Sequence, residues 1–275
     1  MLGAGGLGVR YNPGMSTTHT CGTSTISDFG GHVLSWTPPK VGRDVLYLSP
    51  DAVLDGSKAI RGGIPVCFPW FGPLPDARDA PSHGWCRTQR WTREGPAFRL
   101  EHDGWAVRLE VEAGEALTLK FEAVNRHPHA RTPELALHAY FMVSDIESVS
   151  VEGLEGRPFF DQLKPAVHPR PVEDRAQIHI DAEVDRVYGQ AAEGEPKPVC
   201  LLDPGFGTRL MIRTDLPSTV LWNPWVEKSR RLSDLPNDAY RRFVCIESGV
   251  VGPDVMEVGP GETFSGTVTY DIGPA

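Results

Sequence analysis

The sequence lacks the features that place a chain in a membrane or mark it for export. Its 275 residues contain no run of 18 apolar residues, which a transmembrane helix would need. The glycine-rich start, Met1–Thr20, has no cationic region followed by an apolar stretch, so it does not resemble a signal peptide. We predict that residues 1–20 are a flexible segment, that residues 21–275 form a single domain, and that the protein is cytoplasmic and does not bind membranes.

Cysteine is scarce and shows no paired spacing. The five cysteines are Cys21, Cys67, Cys86, Cys200 and Cys245, and no two of them form a C-x-x-C motif. An odd number of widely separated cysteines argues against a disulfide framework or a zinc knuckle. The pattern fits a protein that works in a reducing compartment, which supports the cytoplasmic prediction.

The sequence is also short of positive charge and of nucleotide-binding motifs. Lys and Arg number 27 against 36 Asp and Glu, a net charge of −9 that argues against nucleic acid as a partner. There is no P-loop, no dinucleotide fingerprint and no histidine cluster with metal-ligand spacing, so we predict no cofactor and no metal. The negative charge would repel an anionic substrate, which would therefore need arginines at its site.

Short strands between turns account for most of the chain. Glycine (29) and proline (25) are frequent, and hydrophobic residues alternate with polar ones over residues 105–112 and 117–122, as in half-buried antiparallel strands. Further strands are predicted at Asp28–Trp36, Asp44–Leu48, Glu134–Ser144, Ala176–Ile180, Pro198–Leu202, Gly207–Thr214, Ser218–Trp222, Arg242–Glu247 and Thr263–Tyr270, with one short helix at Leu232–Tyr240. The sequence predicts an all-β fold, a large antiparallel β-sandwich.

Two loops carry side chains that could serve a polar ligand. The first reads D-G-S-K-A-I-R-G-G-I-P-V-C-F-P-W-F-G, and its Arg61 precedes two glycines that let the backbone approach closely. The second reads S-H-G-W-C-R and places His83 beside a glycine and four residues before Arg87. Each loop also has a plain structural interpretation, a tight bend with a surface arginine and a turn with a satisfied histidine.

Two predicted strands carry polar residues on otherwise apolar faces. In L-H-A-Y-F, alternation places His138 and Tyr140 on one face. In R-R-F-V-C-I-E-S-G, Glu247 ends an apolar strand on the same face as Phe243 and Cys245. A carboxylate there costs free energy unless it is paired or lies in a solvated cleft, and such groups are frequent at functional sites. The alternatives are a buried histidine with one hydrogen bond and a strand-end glutamate in a surface salt bridge.

Three further segments carry weaker signals. E-V-D-R-V-Y offers Asp185 at the edge of a strand or loop. W-N-P-W places two indoles around Asn223, which suits either a wall for stacking a sugar or core aromatics capped by a turn. E-K-S-R-R, which ends at Arg231, is typical of a solvated basic patch but follows these aromatics closely enough to reach a phosphate.

Together these motifs resemble those of the hexose-6-phosphate mutarotases (glucose-6-phosphate 1-epimerases) of the aldose 1-epimerase or galactose mutarotase-like superfamily. The matching segments are S-K-A-I-R-G-G-I-P-V-C-F-P-W-F-G, H-G-W-C-R, L-H-A-Y-F, E-V-D-R-V-Y, W-N-P-W and V-C-I-E-S-G, in the family's order from about Asp28 to the C-terminus. The first twenty residues lie outside the resemblance. The chain departs from the family at Trp85 and Cys86, where Phe and Ala are usual, but it keeps His83 and Arg87.

The resemblance implies a galactose mutarotase-like supersandwich with its site on the concave face of one sheet. It implies that His138 is the general acid and Glu247 the general base in opening and closing the ring of an aldohexose 6-phosphate, glucose 6-phosphate first. That chemistry interconverts the α and β anomers without a metal or a cofactor. Mutual attraction would keep Glu247 ionised and His138 protonated near neutral pH. A monomer is expected, with the sugar phosphate as its small-molecule partner.

The resemblance also implies a set of substrate-binding residues. His83 and Asp185 would contact sugar hydroxyls, while Arg61 and Arg87 would hold anionic or hydroxyl oxygens, with Lys228 or Arg231 as further cations. Three other interpretations stay open from the sequence. The protein could be a mutarotase for neutral aldoses, a carbohydrate-binding sandwich without catalysis, or a metal-dependent sandwich whose ligands are His83, His138 and Glu247.

Overall fold

The computed structural model of the protein describes residues 16–74, 77, 79–191 and 197–275. Residues 1–15, most of the segment predicted to be flexible, lie outside the described residues. The end of that segment belongs to a strand, Thr18–Cys21, which pairs with Ser24–Ser27. Residues 18–20 are therefore held in a sheet, and the predicted boundary at residue 21 falls inside a strand.

Strands dominate the described residues, which contain nineteen of them and one α-helix. The strands are β1 (Thr18–Cys21), β2 (Ser24–Ser27), β3 (His32–Trp36), β4 (Val66–Cys67), β5 (Thr92–Glu94), β6 (Ala97–His102), β7 (Trp105–Ala113), β8 (Ala116–Asn125), β9 (Leu135–Leu137), β10 (Tyr140–Met142), β11 (Ser150–Glu152), β12 (Phe159–Asp161), β13 (Gln177–His179), β14 (Val184–Tyr188), β15 (Val199–Asp203), β16 (Thr208–Thr214), β17 (Ser218–Asn223), β18 (Phe243–Val250) and β19 (Thr263–Pro274). The helix is α1 (Trp225–Ser229), and short 3-10 turns lie at Cys86–Thr88, Ile146–Ser148, Ala239–Arg242 and Gly252–Asp254.

These strands pair in antiparallel fashion into three sheets within the described part of the chain. A small sheet has the order β1-β2-β3. A seven-stranded sheet runs β12-β14-β17-β18-β9-β4, with β10 also paired to β18. A nine-stranded sheet runs β13-β11-β15-β16-β19-β8-β7-β6-β5. The predicted all-β antiparallel sandwich is confirmed.

The nine-stranded sheet follows the alternation predicted from the sequence. In β7, Trp105, Val107, Leu109 and Val111 are buried while the residues between them are partly exposed. The same pattern continues in its neighbour β8, which pairs with β7 along its whole length. A sheet with one buried and one wetter face produces this period of two. Its buried face forms one side of the main core.

The seven-stranded sheet carries buried apolar residues on both of its faces, and the candidate site lies on one of them. Every residue of β18 is buried, and its neighbouring positions belong to different clusters. Val244 and Ile246 join the main core between the two large sheets, while Phe243 and Cys245 join a second cluster on the opposite face. The second cluster contains Tyr47, Cys67, Ala136, Tyr140, Val187, Val220, Trp222, Leu235, Ala239, Phe243, Cys245 and Val251. We call this second surface the outer face of the seven-stranded sheet.

The predicted helix at Leu232–Tyr240 is wrong. This stretch forms successive turns and then a 3-10 turn that begins at Ala239. Pro236 has no N–H to continue a helical ladder, and it disfavours a helical conformation at Leu235. The only α-helix of the described residues is the five-residue α1, just before this stretch. No described helix has the length and hydrophobicity that crossing a membrane requires.

Three strand predictions are corrected in detail. The stretch Asp28–Trp36 holds β3 and the turn that joins it to β2, because Gly30 and Gly31 both have positive φ there. Asp44–Leu48 forms only isolated bridges, at Leu46 and Leu48. The stretch 134–144 is divided into β9 and β10. That division lies at His138.

Candidate active site

His138 lies at a break between two strands that keep a common register. Both β9 and β10 pair with β18, and the partners that flank the break are Leu137 with Ser248 and Tyr140 with Cys245. Tyr140 follows Leu137 by as many residues as Ser248 follows Cys245. The register therefore continues through the break and sets His138 opposite Glu247. Directly opposed residues of antiparallel strands share a face, with Cβ atoms about 5 Å apart. Strand register therefore brings the two residues together.

A neighbouring loop bonds to the main chain at the break. The His138 N–H donates to the carbonyl of Pro65 at 3.0 Å, and the Tyr140 N–H donates to that of Gly63 at 2.9 Å. Gly63 has a φ of 63°, and a Cβ there would lie 2.2 Å from the carbonyl oxygen of Val33. Glycine is thus required where the loop that carries Arg61 passes close to Val33, while its bonds to the main chain at the break hold the loop beside His138.

Glu247 lies inside β18 and not at its end. The strand continues to Val250 because Ser248 and Gly249 keep their pairing with β9 and β17, so the predicted strand end is wrong. The Glu247 side chain is 1% exposed, which excludes a surface salt bridge. Its Oε2 has no hydrogen-bond partner among the described residues. A buried carboxyl oxygen without a protein partner is costly, and such groups are frequent at functional sites.

The two side chains are in contact in the apolar surroundings of the outer face. His138 Nδ1 lies 3.2 Å from Glu247 Oε1, with 8% and 1% of the side chains exposed. Their alignment is poor for a hydrogen bond, and His138 Nδ1 has no hydrogen-bond partner in the described part of the chain. Both groups thus keep bonding capacity that a ligand could use.

Burial governs the protonation of the pair. Burial lowers the pKa of His138 well below its ordinary value, and the positive charge of Arg87 lowers it further. Burial raises the pKa of Glu247 well above its ordinary value, as does the negative charge of Asp185. Both directions are opposite to those expected from mutual attraction, because neither charge is solvated here. These two shifts run against the expected imidazolium–carboxylate pair and favour a neutral imidazole beside a protonated carboxyl.

Aromatic rings enclose His138 on the outer face. The Tyr140 ring stacks on the imidazole at 4.8 Å with an interplanar angle of 6°. Trp222 stands edge-on at 5.9 Å, and His83 lies 5.9 Å away on another side. The predicted sharing of one face by His138 and Tyr140 is confirmed, since Tyr140 and Trp222 belong to the outer-face cluster. These rings fix the imidazole and offer apolar walls to a sugar ring.

His83 is held in one tautomer by the chain next to it. The N–H of Gly72 donates to His83 Nδ1 at 3.2 Å, so Nδ1 is the acceptor and Nε2 carries the hydrogen. Phe71 stands edge-on to the ring at 4.8 Å. Burial, with the charge of Arg87, lowers the pKa of His83 to about 3. His83 is therefore a neutral hydrogen-bond donor near His138 at physiological pH.

Arg61 lies on the outer face but is already engaged. Its Nη1 donates to the Tyr140 hydroxyl at 3.0 Å, and its Nε donates to Asp234 Oδ1 at 3.1 Å. Lys58 is 3.6 Å from the other oxygen of Asp234. The Arg61 side chain as a whole is 22% exposed. The interpretation of Arg61 as a surface arginine in a bend is excluded.

Arg87 contributes positive charge to the same region. Its Nη2 donates to the carbonyl of Ser82 at 2.8 Å, while its buried Nε has no hydrogen-bond partner among the described residues. Its charge lowers the pKa of Glu247, opposing burial, and adds to burial in lowering the pKa of His83. Arg87 therefore acts electrostatically on both of these groups.

Asp185 is positioned by two polar neighbours. Gln162 Nε2 donates to its Oδ1 at 2.7 Å, and Lys228 Nζ donates to its Oδ2 at 3.4 Å. Lys228 also lies 3.2 Å from Glu183, so two carboxylates already share its charge. On β14, Asp185 is opposite Trp222 and thus on the outer face. Burial raises the pKa of Asp185, while Lys228 opposes that rise.

The W-N-P-W segment divides between two environments. Trp222 lies in the outer-face cluster, whereas Trp225 packs on Tyr240 at 5.1 Å. Asn223 is fully buried and donates to the carbonyls of Tyr240 and Phe243, as a turn-capping residue does. Of the two interpretations, the capped turn describes Asn223 and Trp225, and only Trp222 is placed to form a wall.

Some residues of the site were missed from the sequence. Neither Asp234 nor Gln162 was singled out from the sequence as a site residue. Both act through contacts with residues far along the chain, Arg61 and Asp185, and no local pattern marks them. Tyr140 carried a usable signal, since it shares the face of His138 two residues away.

The six predicted site residues form no metal-ligand cluster in the described part of the chain, and they do not line a cavity of about 830 Å³ whose walls include Arg157, Thr219 and Ser248. Among the described residues, no group of three or more His, Cys, Asp or Glu side chains is placed to hold a metal. His83, His138 and Glu247 thus do not form such a group. The buried polar pair marks the site instead.

Solved structures share the fold of this chain. The crystal structure of a "putative mutarotase (YeaD)" from Salmonella typhimurium has a TM-score of 0.82 at 24% identity, and covers 97% of this chain and 93% of its own. A homologue of the GalM/aldose epimerase from C. elegans has a TM-score of 0.73 at 15% identity, and covers 94% and 99%. The fold is therefore that of the galactose mutarotase-like proteins.

Sequence comparison gives the family. The aldose 1-epimerase family model matches residues 15–271. A protein of Escherichia coli named "Putative glucose-6-phosphate 1-epimerase" is 33% identical over an alignment of 243 residues, which covers 80% of this chain and 76% of that protein. A protein of Cenchrus ciliaris with the same name is 30% identical and covers 90% and 80%. The chain belongs to the aldose 1-epimerase family.

Proposed function

We propose that this protein interconverts the α and β anomers of hexose 6-phosphates, glucose 6-phosphate first, with His138 and Glu247 as the proton-transferring pair. One observation carries the proposal: the two side chains oppose each other at 3.2 Å on a buried face, and each keeps an unbonded atom. Anomer interconversion needs an acid and a base at one hemiacetal carbon. His138 and Glu247 supply an acid and a base that are close enough to act on the same hemiacetal.

The proposed reaction conserves atoms and charge. The base removes the proton of the anomeric hydroxyl while the acid protonates the ring oxygen, so the C1–O5 bond breaks and an open-chain aldehyde forms. Rotation about the C1–C2 bond presents the other face of the carbonyl. Ring closure then reverses both proton transfers, and the second anomer leaves. General acid–base catalysis of this kind contributes about 10²- to 10⁴-fold for each group.

The protonation of the pair suits a reversible reaction. Burial favours a neutral His138 beside a protonated Glu247. In that form Glu247 is the acid and His138 is the base, the reverse of the roles implied by the family resemblance. One proton transfer between the two side chains restores the other form. Because closure swaps the roles used in opening, either starting form provides one acid and one base.

Cations beside the pair support a phosphorylated substrate. Arg61 and Arg87 both lower the pKa of His138, so their charges reach the site. Their local field would oppose the repulsion of a sugar phosphate by the net charge of −9. The relatives in Escherichia coli and Cenchrus ciliaris are named "Putative glucose-6-phosphate 1-epimerase", which agrees with this choice. His83 and Asp185 are proposed to bond sugar hydroxyls from opposite sides of the pair.

A mutarotase for neutral aldoses is the second candidate, and one observation favours it. Arg61 already bonds to Asp234 and Tyr140, which reduces the charge it can offer to a phosphate. We also propose that the protein is a cytoplasmic monomer. The described cysteines are all free and buried, which agrees with a reducing compartment.

An anomerisation assay tests the substrate class. Freshly dissolved α-glucose 6-phosphate is followed to anomeric equilibrium by proton NMR, with and without protein, and α-glucose is run beside it. The proposal expects kcat/KM for the phosphorylated sugar to exceed that for glucose. Faster action on glucose would move the assignment to neutral aldoses. No acceleration with either sugar would leave a carbohydrate-binding sandwich as the better account.

A further inference from the structure

Glu134 forms an unusual pair of bonds beside the proposed site. Its Oε2 accepts from the N–H of Phe71 and its Oε1 accepts from the N–H of Gly252, each at 2.8 Å. The N–H of Glu134 itself donates to the carbonyl of Pro69 at 2.9 Å. One carboxylate therefore joins the loop after β4 to the turn that directly follows β18.

Both of these segments lead to residues of the proposed site. Phe71 stands edge-on to His83, and the next residue, Gly72, donates its N–H to His83 Nδ1. The N–H of His83 returns a bond to the carbonyl of Gly72 at 2.7 Å. On the other side, Gly252 lies two residues beyond Val250, the end of the strand that holds Glu247.

The consecutive main-chain N–H groups of Phe71 and Gly72 therefore each donate to a side-chain acceptor. The Phe71 amide points at the Glu134 carboxylate and the Gly72 amide points at the His83 imidazole. Fixing the first peptide plane limits the rotation of the second, because only the φ and ψ of Phe71 separate them. Bonds from N–H groups to a charged oxygen are stronger than bonds between neutral groups.

We propose that Glu134 is a positioning residue: by binding the Phe71 amide it aims the Gly72 amide at His83 Nδ1, and so keeps the Nε2–H of His83 directed at the sugar. The kinetic consequence depends on the function proposed above, but the state of the His83 ring does not. Glu134 would not touch the substrate. Its effect on turnover would pass through His83.

The test compares Glu134→Gln with a matched control, Asp203→Asn. Glutamine keeps the length of the side chain but sets an NH₂ group against one of the two amides. Asp203 likewise accepts two main-chain amides, those of Ser144 at 2.7 Å and Phe206 at 3.0 Å, and it lies at the end of β15 in the other large sheet. Both variants lose a charge-assisted bond, but only one of the lost bonds leads to His83.

The first measurement is independent of activity. Long-range ¹H–¹⁵N NMR reports the ring nitrogens of His83, with His179 on β13 as an internal reference. We expect an unprotonated Nδ1 and a protonated Nε2 in the wild type and in Asp203→Asn. In Glu134→Gln we expect the His83 signals to move toward a tautomer mixture while those of His179 stay. Unchanged His83 signals in Glu134→Gln would overturn the proposal, whatever the protein catalyses.

The second measurement is a double-mutant cycle on kcat/KM for anomerisation. We expect Glu134→Gln to lower kcat/KM about tenfold, the equivalent of one charge-assisted hydrogen bond. In a His83→Ala background the same change should have less than about a twofold effect, because the group it positions is gone. Independent, multiplying effects would show that Glu134 acts on the fold in general and would contradict the proposal.

Discussion

His138 Nδ1 lies 3.2 Å from Glu247 Oε1 because the two residues oppose each other across neighbouring antiparallel strands. The contact joins positions more than one hundred residues apart in the sequence. It lies on a sheet face that is apolar apart from a few polar groups, so both side chains lose solvation. The pair therefore does not serve stability, since apolar residues of similar size would pack there at a lower cost in free energy. A catalytic role accounts for it instead.

We predict that removing the buried carboxyl of Glu247 stabilises the fold. Burial raises the pKa of Glu247, so the folded protein binds its proton more tightly than the unfolded chain. Stability therefore falls as pH rises above the unfolded pKa of about 4.5. Glu247→Gln should unfold at a higher urea concentration than the wild type at pH 8, and the gap should narrow toward pH 4.5. A variant that is less stable at pH 8 would contradict this.

A second pH effect comes from His32, beneath the Gly62–Gly63 loop. Its Nε2 is 2.7 Å from the carbonyl of Gly62, and burial lowers its pKa from 6.5 to about 4. The fold favours the neutral form of His32. Its contribution to the free energy of unfolding is therefore complete above pH 6.5 and is lost as pH falls toward 4. The loss for one such group is about 3 kcal/mol. Urea unfolding of His32→Gln should show a weaker fall over this range, whereas parallel curves would exclude His32 as its source.

Asp185 provides a prediction on the pH profile of activity. Its negative charge, after burial, raises the pKa of Glu247. Asp185→Asn should therefore move the limb of the kcat profile that belongs to Glu247 to lower pH. It should also raise KM, because Asp185 is proposed to bond a sugar hydroxyl. An unchanged limb would place the carboxylate outside electrostatic reach of Glu247.

The two arginines should differ in their effect on substrate preference. Arg61 bonds to Tyr140 at the edge of the site, so Arg61→Gln should lower kcat/KM about tenfold or more for glucose 6-phosphate and less for glucose. Arg87 also acts on Glu247, so Arg87→Gln should lower kcat for both sugars. Lys58→Gln is the matched control, because it removes a cation near the same Asp234 without a bond to Tyr140. Equal losses for both sugars in Arg61→Gln would argue for a neutral substrate.

Much of this site could be predicted from local patterns, and the limits are physical. A period of two placed His138 with Tyr140, and Glu247 with Phe243 and Cys245, on shared faces. The sequence does not show which strands are neighbours, however, and the opposition of His138 and Glu247 depends on the register between β18 and two short strands. Register is a long-range property, set by the packing of the whole sheet.

Protonation and positioning also lay beyond local patterns. Attraction between His138 and Glu247 suggested an ion pair, whereas burial shifts both pKa values in the opposite directions, and the depth of burial follows from the complete fold. Glu134 begins a predicted strand and was not singled out, because its partners Phe71 and Gly252 lie far away in sequence. The predicted helix failed at Pro236, where the chain itself carried a warning that outweighed the nearby hydrophobic residues.

The most direct test of the account is the anomerisation rate of glucose 6-phosphate for the wild type, His138→Ala and Glu247→Gln. Glu173→Gln is the control, since Glu173 is also a buried carboxylate but bonds to Arg175 and Tyr188 away from the pair. We predict a loss of at least about 100-fold in each site variant, and less than about threefold in the control. Near-normal turnover in a folded Glu247→Gln protein would contradict the central role assigned to the His138–Glu247 pair.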